Sequence, residues 1–168
     1  MSIWRSATRG AAAGLVATLA MDILWYRRHR ADGGEPGFAA WEFTSSATGF
    51  DDDATPAPAK IGKGIADAVG FDVPESAVAA TSNVVHWATG AGWGSAAGLA
   101  ATALQPAAAG VLTGMTAWGT SYAALGATGI YEPITSYDRE TLWKDLSAHL
   151  VFGTVLGLVL SGRTLRND

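Results

Sequence analysis

The sequence predicts an all-α membrane protein, a bundle of four transmembrane helices with a short interfacial helix in its first loop. Of its 168 residues, 49% are hydrophobic and only 15% are charged, against roughly 25% charged in an ordinary soluble domain. No Asp, Glu, Lys or Arg occurs between Glu75 and Glu132. Two further stretches with very few charges lie near the two ends of the chain. A soluble helix needs a polar face toward water, and these stretches do not provide one.

The four predicted spans follow from the lengths of these stretches. The central uncharged run is too long for one crossing, which takes about 20 apolar residues. Because a proline at position 106 divides it, it predicts two spans, at 78–104 and 107–130. The other spans are predicted at 8–26 and 143–162, and the fourth is followed by basic residues, among them Arg163 and Arg166.

This topology predicts one integral membrane domain over residues 1–168, with both termini on the same side of the membrane. Two alternatives are a buried helical core of a soluble protein and a signal peptide at the N-terminus. The sequence Trp25-Tyr26-Arg27-Arg28 favours an uncleaved first helix that ends at a membrane interface. The basic residues do not decide which side faces the cytoplasm.

A polar loop at 31–74 follows the first span. Its segment 56–70 predicts a short helix that could lie on the membrane surface, with Ile61, Ile65 and Val69 on one face. The loop also contains the acidic run 51–53, three aspartates in succession. Consecutive residues do not all face one cation on regular backbone, so this run predicts a solvated loop and not a calcium site.

Composition and motifs exclude several classes of function. A net charge of −4 and a pI near 5.2 argue against nucleic acid as a partner, since phosphate binding needs a basic face. The absence of cysteine excludes disulfides, thiolate metal sites and a cysteine nucleophile. Ser147 and His149 are two apart on one helix and do not face each other. No phosphate-binding loop or zinc-protease pattern occurs, so we expect that the protein is not an enzyme.

Small residues recur every fourth position in the spans, a spacing that places them on one helix face. In lipid, such stripes let two helix backbones approach closely. In three spans the same stripe includes ionisable residues. The stripes are Gly10, Gly14, Thr18 and Asp22 in the first span, His86, Gly90, Gly94, Gly98 and Thr102 in the second, and Asp145, His149, Gly153, Gly157 and Ser161 in the fourth. The third span is less regular, with Gly110, Gly114, Trp118, Tyr122 and Gly126.

The predicted topology brings Asp22, His86, Asp145 and His149 into the same leaflet of the membrane. Ionisable side chains that face lipid cost several kcal/mol, so each is expected to face the bundle. The cluster could exchange protons or bind a cation, since histidine titrates near neutral pH. The aspartates could instead only hydrogen-bond the histidines and so join the helices. No cofactor is expected; the alternative is a divalent metal or a haem held by His86 and His149.

An internal repeat supports two related helical hairpins. The sequence Ala-Ala-Ala-Gly at 11–14 recurs at 107–110. The pattern of histidine followed by glycines four and eight positions later begins at His86 and again at His149. Repeats of this kind are known in transporter halves.

The glycine-rich first span, the His86-Trp87 start of the second and the segment 145–151 at the start of the fourth resemble the YagU-like family, small bacterial inner-membrane proteins. The resemblance implies a multi-pass protein of the inner (plasma) membrane and, in one branch of the family, a link to acid tolerance. The positions that match are His86 and His149, whereas Asp22 has no firm counterpart. The resemblance supplies no catalytic residues.

The sequence thus leads to two hypotheses of function. In the first, the buried Asp/His cluster responds to pH or handles protons or cations within the lipid bilayer. In the second, the protein is a structural or accessory subunit whose glycine faces pack against a second copy or a larger membrane partner.

Overall fold

The computed structural model describes residues 2–162, and the prediction of an all-helical chain is confirmed for them. No strand occurs in this range. Arg163 and Arg166, after the fourth predicted span, lie outside the described residues. The six α-helices are α1 (Ile3–Ala31), α2 (Phe38–Glu42), α3 (Ala57–Ala68), α4 (Val78–Ala100), α5 (Pro106–Ala127) and α6 (Arg139–Ser161). Short 3₁₀ turns, Glu75–Ala77 and Ile134–Ser136, precede α4 and α6.

The four long helices occupy the four predicted spans with shifted ends. α1 and α6 begin earlier than predicted. α4 ends at Ala100, and the next four residues form turns through hydrogen bonds such as that from Leu104 N–H to the Ala100 carbonyl. α5 then starts on Pro106, whose fixed φ and missing N–H suit the first position of a helix.

Two of these helices, α1 and α6, are long and apolar enough to cross a membrane. α4 and α5 fall short of that hydropathy because Gly, Ala, Ser and Thr make up most of their sequences. The structure therefore supports two candidate spans, while a bundle of four transmembrane helices stays a prediction.

Two compact units make up the chain, one from residues 1–25 and 89–168 and the other from residues 26–88. We call the first the bundle unit. In it, α1 contacts α4 through facing glycines: a Cβ added to Gly94 would lie 2.6 Å from the Gly14 Cα and would also meet the Gly10 carbonyl oxygen. Such contacts between backbones exclude any side chain larger than hydrogen.

A second pair of glycine faces joins α5 to α6 in the bundle unit. A Cβ on Gly110 would lie 2.6 Å from the Gly157 Cα, and one on Gly114 would lie 3.0 Å from the Gly153 Cα. Small and aliphatic side chains fill the remaining interior. The core cluster consists of Ala13, Ala17, Met21, Ala97, Ala148, Phe152, Leu156 and Leu160.

The second unit, residues 26–88, orders most of the predicted polar loop. Glu75 accepts a hydrogen bond of 2.6 Å from the Phe50 N–H, and Phe50 packs with Ala59 and Val78. α2, which the sequence did not predict, belongs to a group of aromatic rings in which Tyr26 and Phe38 lie 5.4 Å apart between ring centroids. Contacts between residues distant in the sequence therefore fold a segment whose local sequence predicts a loop.

The acidic run 51–53 forms a turn, as expected. The Asp52 carboxylate accepts hydrogen bonds from the Thr48 N–H at 3.0 Å and the Ala54 N–H at 2.8 Å. These backbone donors, that of Thr48 first, hold the pKa of Asp52 below its ordinary value. Asp51 and Asp53 are exposed.

The predicted interfacial helix corresponds to α3. Its Gly62 faces α4, since an added Cβ there would lie 3.0 Å from Val85 Cγ2. Ile65 and Val69 are 60% and 75% exposed. Its location on a membrane surface stays a prediction.

We predict that Gly94→Ala destabilises the bundle unit by about 1–3 kcal/mol, the usual cost of forcing extra volume into a packed interior. The matched control is Gly92→Ala in the same helix, because a Cβ at Gly92 would meet nothing within 4 Å. Thermal unfolding of the two variants in the same detergent measures the difference. Equal midpoints for the two variants would show that the α1–α4 contact is not as close as described.

We also predict a pH-dependent contribution from Asp138, which caps α6 and whose pKa is lowered by hydrogen bonds from Thr141. The ordinary pKa is 3.8. Because the folded pKa is lower, the charged cap stabilises the fold above pH 3.8, and this stabilisation is lost as the pH falls through the folded value. Asp138→Asn keeps an acceptor oxygen but cannot titrate. The gap in unfolding midpoint between wild type and Asp138→Asn should therefore shrink in acid, and a constant gap would contradict the prediction.

Candidate functional site

The cap of α6 fixes the start of the helix that carries two of the predicted site residues. The Asp138 carboxylate accepts hydrogen bonds of 2.8 Å from both the backbone N–H and the hydroxyl of Thr141. Glu140 adds a negative charge to the first turn, where the helix dipole favours it. Asp145 and His149 follow one and two turns later on the same face.

Asp145 and His149 contact each other across one turn of α6. His149 Nδ1 lies 3.4 Å from Asp145 Oδ1 and 3.0 Å from the Asp145 carbonyl oxygen. A carbonyl oxygen only accepts hydrogen bonds, so this geometry assigns a hydrogen to Nδ1. In a neutral ring, Nε2 is then the nitrogen that carries the lone pair. The side chains are 23% and 17% exposed, which keeps both within reach of water.

Three tyrosines and a tryptophan form an aromatic cluster beside Asp145. Tyr122 interacts electrostatically with Asp145, and the residue is 8% exposed. Its ring centroid lies 5.3 Å from that of Trp118, 5.4 Å from Tyr131 and 5.5 Å from Tyr137. Two rings of this cluster, those of Tyr122 and Tyr131, interact electrostatically with Asp145.

Burial and the negative charge of Asp145 both raise the pKa of Tyr131, which follows α5. Loss of hydration raises the pKa of Tyr131 to about 12, and the negative charge of Asp145 contributes in the same direction. Tyr131 therefore keeps its proton throughout the physiological range. The Tyr137 hydroxyl accepts a hydrogen bond of 3.1 Å from the Glu132 N–H and holds this loop against the cluster.

Asp22 lies deep in the bundle unit, where it is 4% exposed. Its stripe on α1 faces inward as predicted, since Gly10, Gly14 and Thr18 are also buried. The Thr18 hydroxyl donates to the Gly14 carbonyl at 3.0 Å. A carboxyl group at this depth is expensive to bury, which makes Asp22 a candidate for a functional or a structural polar contact.

His86 belongs to the second unit, on the N-terminal half of α4, where it is half-buried. Its neighbours along the helix bind α2: the indole N–H of Trp87 donates to Glu42 Oε1 and the Asn83 amide to the Glu42 carbonyl, both at 3.1 Å. Of the four predicted residues, the structure thus pairs Asp145 with His149. The gathering of all four into one cluster stays a prediction.

Residues 2–162 include no group of three or more His, Cys, Asp or Glu that could hold a metal ion. A metal or haem held by His86 and His149 therefore has no third ligand of these types within the described chain. Nδ1 of His149 is the nitrogen in contact with Asp145, which leaves Nε2 as its other ring nitrogen.

The sequence analysis assigned packing roles to glycines of the first, second and fourth predicted spans. It missed the glycines of the third span that contact those of the fourth. Gly110 and Gly114 face Gly153 and Gly157 directly. The contact of Tyr122 with Asp145 was also missed. Gly110, Gly114 and Tyr122 all belong to the less regular stripe of small and aromatic residues in the third predicted span. The two glycines at the start of that stripe could have indicated the contact with α6.

Comparison of the chain with protein-family models, with curated proteins and with solved structures finds no match in any of the three. The resemblance to YagU-like proteins accordingly stays a prediction that depends on the residues quoted for it.

Proposed function

We propose that the protein is a multi-pass membrane protein of four transmembrane helices that responds to pH or passes protons through its Asp/His residues. The single observation that carries the proton role is the approach of His149 Nδ1 to within 3.4 Å of Asp145 Oδ1, with Tyr122 beside Asp145. An imidazole, a carboxylate and a phenol can each exchange a proton. Both termini lie on the same side in this proposal, and the inner (plasma) membrane is the proposed location.

The distribution of side chains supports a lipid environment. On α1 the large aliphatic residues Leu15, Val16, Leu19 and Ile23 are 38–49% exposed, while the buried positions of α1 are mostly Gly, Ala, Ser, Thr and Asp. Leu158 of α6 is 63% exposed. Soluble proteins bury their large aliphatic residues. An exposed aliphatic surface over small and polar interiors is expected where the surroundings are lipid.

The two helices of lower hydropathy also fit a bilayer. α4 and α5 contain 23 and 22 residues and no Asp, Glu, Lys or Arg. A length of about 20 residues is enough to cross the hydrocarbon core. Their glycines reduce hydropathy without adding a charge, and two of the α5 glycines, Gly110 and Gly114, are used in contacts with α6. The composition thus reflects close packing rather than contact with water.

The alternative, an accessory subunit that packs through glycine faces, has less support. Gly10, Gly14, Gly94 and Gly98 contact one another, and the glycines of α5 and α6 are paired in the same way. These faces are occupied within the chain and do not offer a surface to a partner. A homo-oligomer or a larger complex would have to use the exposed aliphatic residues instead.

A proton role also agrees with the acid-tolerance link that the YagU-like resemblance implies. In this proposal His149 is the pH-responsive group, because imidazole is the side chain that changes charge near neutral pH. A charged imidazole is attracted to a carboxylate more strongly than a neutral one. Because Asp145 also interacts with Tyr122 of α5, a change in that attraction is a way for pH to alter the contact between α5 and α6.

We predict that the full-length protein stays in the membrane fraction after alkaline carbonate washing and needs detergent for extraction. Tags placed at the two termini should show the same accessibility to a membrane-impermeant reagent in intact cells. The reagent should label both tags equally once the cells are permeabilised, which is the control. Recovery of folded protein without detergent, or tags on opposite sides, would contradict the four-span topology.

We predict that liposomes containing the protein dissipate an imposed pH gradient and that His149→Gln and Asp145→Asn reduce the rate to that of empty liposomes. His29→Gln is the control, since His29 lies in the second unit, with its ring centroid 6.0 Å from that of Trp41. A pH-sensitive dye inside the liposomes measures the rate, and Tyr122→Phe should change its pH dependence. If His149→Gln and Asp145→Asn retain the wild-type rate and pH profile while remaining folded, the proton role is wrong.

A further inference from the structure

A groove between α3 and α4 opens on the surface of the second unit. It has a volume of about 320 Å³ and lies within residues 26–88. We call it the α3–α4 groove. Its lining consists of Gly62, Ile65, Ala80, Thr81, Val84 and Val85. None of these six residues is charged, and Thr81 alone carries a polar side-chain group. The groove is therefore suited to an apolar ligand, and its volume lies near the lower end of small-molecule pockets, roughly 300–1,000 Å³.

Large apolar side chains at this groove are exposed. Ile65 and Val84, one from each helix, are 60% and 69% exposed. Val69, one turn after Ile65, is 75% exposed, and Phe71 is 65% exposed. An apolar surface of this kind marks a site of interaction with protein or with a membrane. The groove is the concave part of that surface.

α3 keeps its charged residues on a different side from its apolar ones. The apolar side contains Ile61, Ile65 and Val69, and the charged side contains Lys60, Lys63 and Asp67. Lys63 and Asp67 form an ion pair, in which the Asp67 side chain is 53% exposed. A helix at a membrane interface has this arrangement, because its apolar side meets acyl chains while its charged side stays among headgroups and water. The charge distribution of α3 therefore favours lipid as the occupant of the groove.

The contact of α3 with α4 gives the depth at which the groove lies. A Cβ added to Gly62 would meet Thr81 Cγ2 and would lie 3.0 Å from Val85 Cγ2. α4 is one continuous helix, and the predicted span 78–104 has its midpoint at residue 91. Thr81 and Val85 precede this midpoint by 10 and 6 residues, which is about 15 and 9 Å along a helix.

These distances correspond to the edge of the hydrocarbon core. Half of its thickness is about 15 Å, so a spanning α4 places Thr81 at the edge and Val85 about 6 Å inside it. Interfacial helices bury their apolar side by about 5–10 Å. Because Gly62 packs against these two turns of α4, the α3–α4 groove lies where the acyl chains begin.

From these observations we propose that the α3–α4 groove binds the acyl chain of a membrane lipid, with Ile65 and Val84 as its main contacts. The inference rests on the proposed function, because the depth of the groove follows from a membrane-spanning α4. The acyl chain, and not the headgroup, is the ligand because the lining offers no charged group. Lipid bound in this way would hold the second unit at the membrane surface through α3.

The test places a fluorescent label in the groove of the full-length protein. Because the chain contains no cysteine, Ile65→Cys, Val84→Cys and Gly64→Cys can each be labelled at a single site. Gly64 is the matched control, since it is exposed and a Cβ there would meet nothing within 4 Å. In liposomes of phosphatidylcholine brominated near the start of its acyl chains, we expect strong quenching of the labels at 65 and 84. The label at 64 should escape this quenching and be quenched by aqueous iodide instead.

A second variant separates binding in the groove from general contact with the membrane. Ala80 is an exposed lining residue, so Ala80→Phe can fill the groove without entering the core. It should remove most of the quenching by brominated lipid at residue 65. A label on Val69→Cys, which is exposed outside the lining, should keep its quenching. Unchanged quenching at both positions after Ala80→Phe would overturn the groove as the binding site.

The remaining outcomes separate lipid from other occupants and this proposal from the four-span topology. A label at residue 65 that is shielded from iodide but not quenched by brominated lipid would mean that protein, such as a second copy of the chain, covers the groove, and would overturn the lipid assignment. If the tags confirm four spans and neither groove label is quenched by lipid, the groove proposal fails alone. If the protein proves soluble, the labelled variants are titrated with a brominated fatty acid. Saturable quenching that Ala80→Phe removes would then support an acyl-chain site, while the four-span topology fails.

Discussion

Contact between helix backbones is the constraint on which the bundle unit depends. Gly94 lies against Gly10 and Gly14, and Gly110 lies against Gly157, at distances that leave no space for a Cβ. In lipid, the surroundings of a helix are as apolar as its side chains, so burial of apolar surface does not drive helices together. Association there depends on close packing and on weak polar contacts. Helices that meet in this way bury few large side chains. This explains why Ala and Gly contribute so much of the interior and why long aliphatic residues point outward.

The same constraint determines where polar groups can lie. Along the inward face of α1, Gly10 and Gly14 occupy the middle, while Ser6 precedes them and Asp22 follows. On α6, Asp145 and His149 come before Gly153 and Gly157. The glycine contacts leave little side-chain volume at mid-helix, so the carboxyl and imidazole groups of these two faces occur toward the ends. In a membrane these ends are close to the interface, where ionisable groups cost less.

The helices and their glycine faces could be predicted because both signals are local. Stretches without charged residues indicate the long helices. Small residues at every fourth position indicate the helix face that contains Gly94 in α4 or Gly153 in α6. α2 could not be predicted, because its stability comes from rings such as Tyr26 and Trp41, which are distant along the chain. The contact of Tyr122 with Asp145 depends on the register between α5 and α6. That register is set by which glycines face each other, and the sequence offers several equivalent choices.

The two ends of the bundle unit differ in charge, and this difference follows from how the helices are ordered. Asp22 ends the inward stripe of α1 and Asp145 begins that of α6, so both carboxylates belong to one end. Arg5 and Arg9 begin α1 and belong to the other end. The glycine segments between the two ends contain no charged side chain. A bundle built in this way presents carboxylates at one end and arginines at the other, and its glycine middle keeps the two apart.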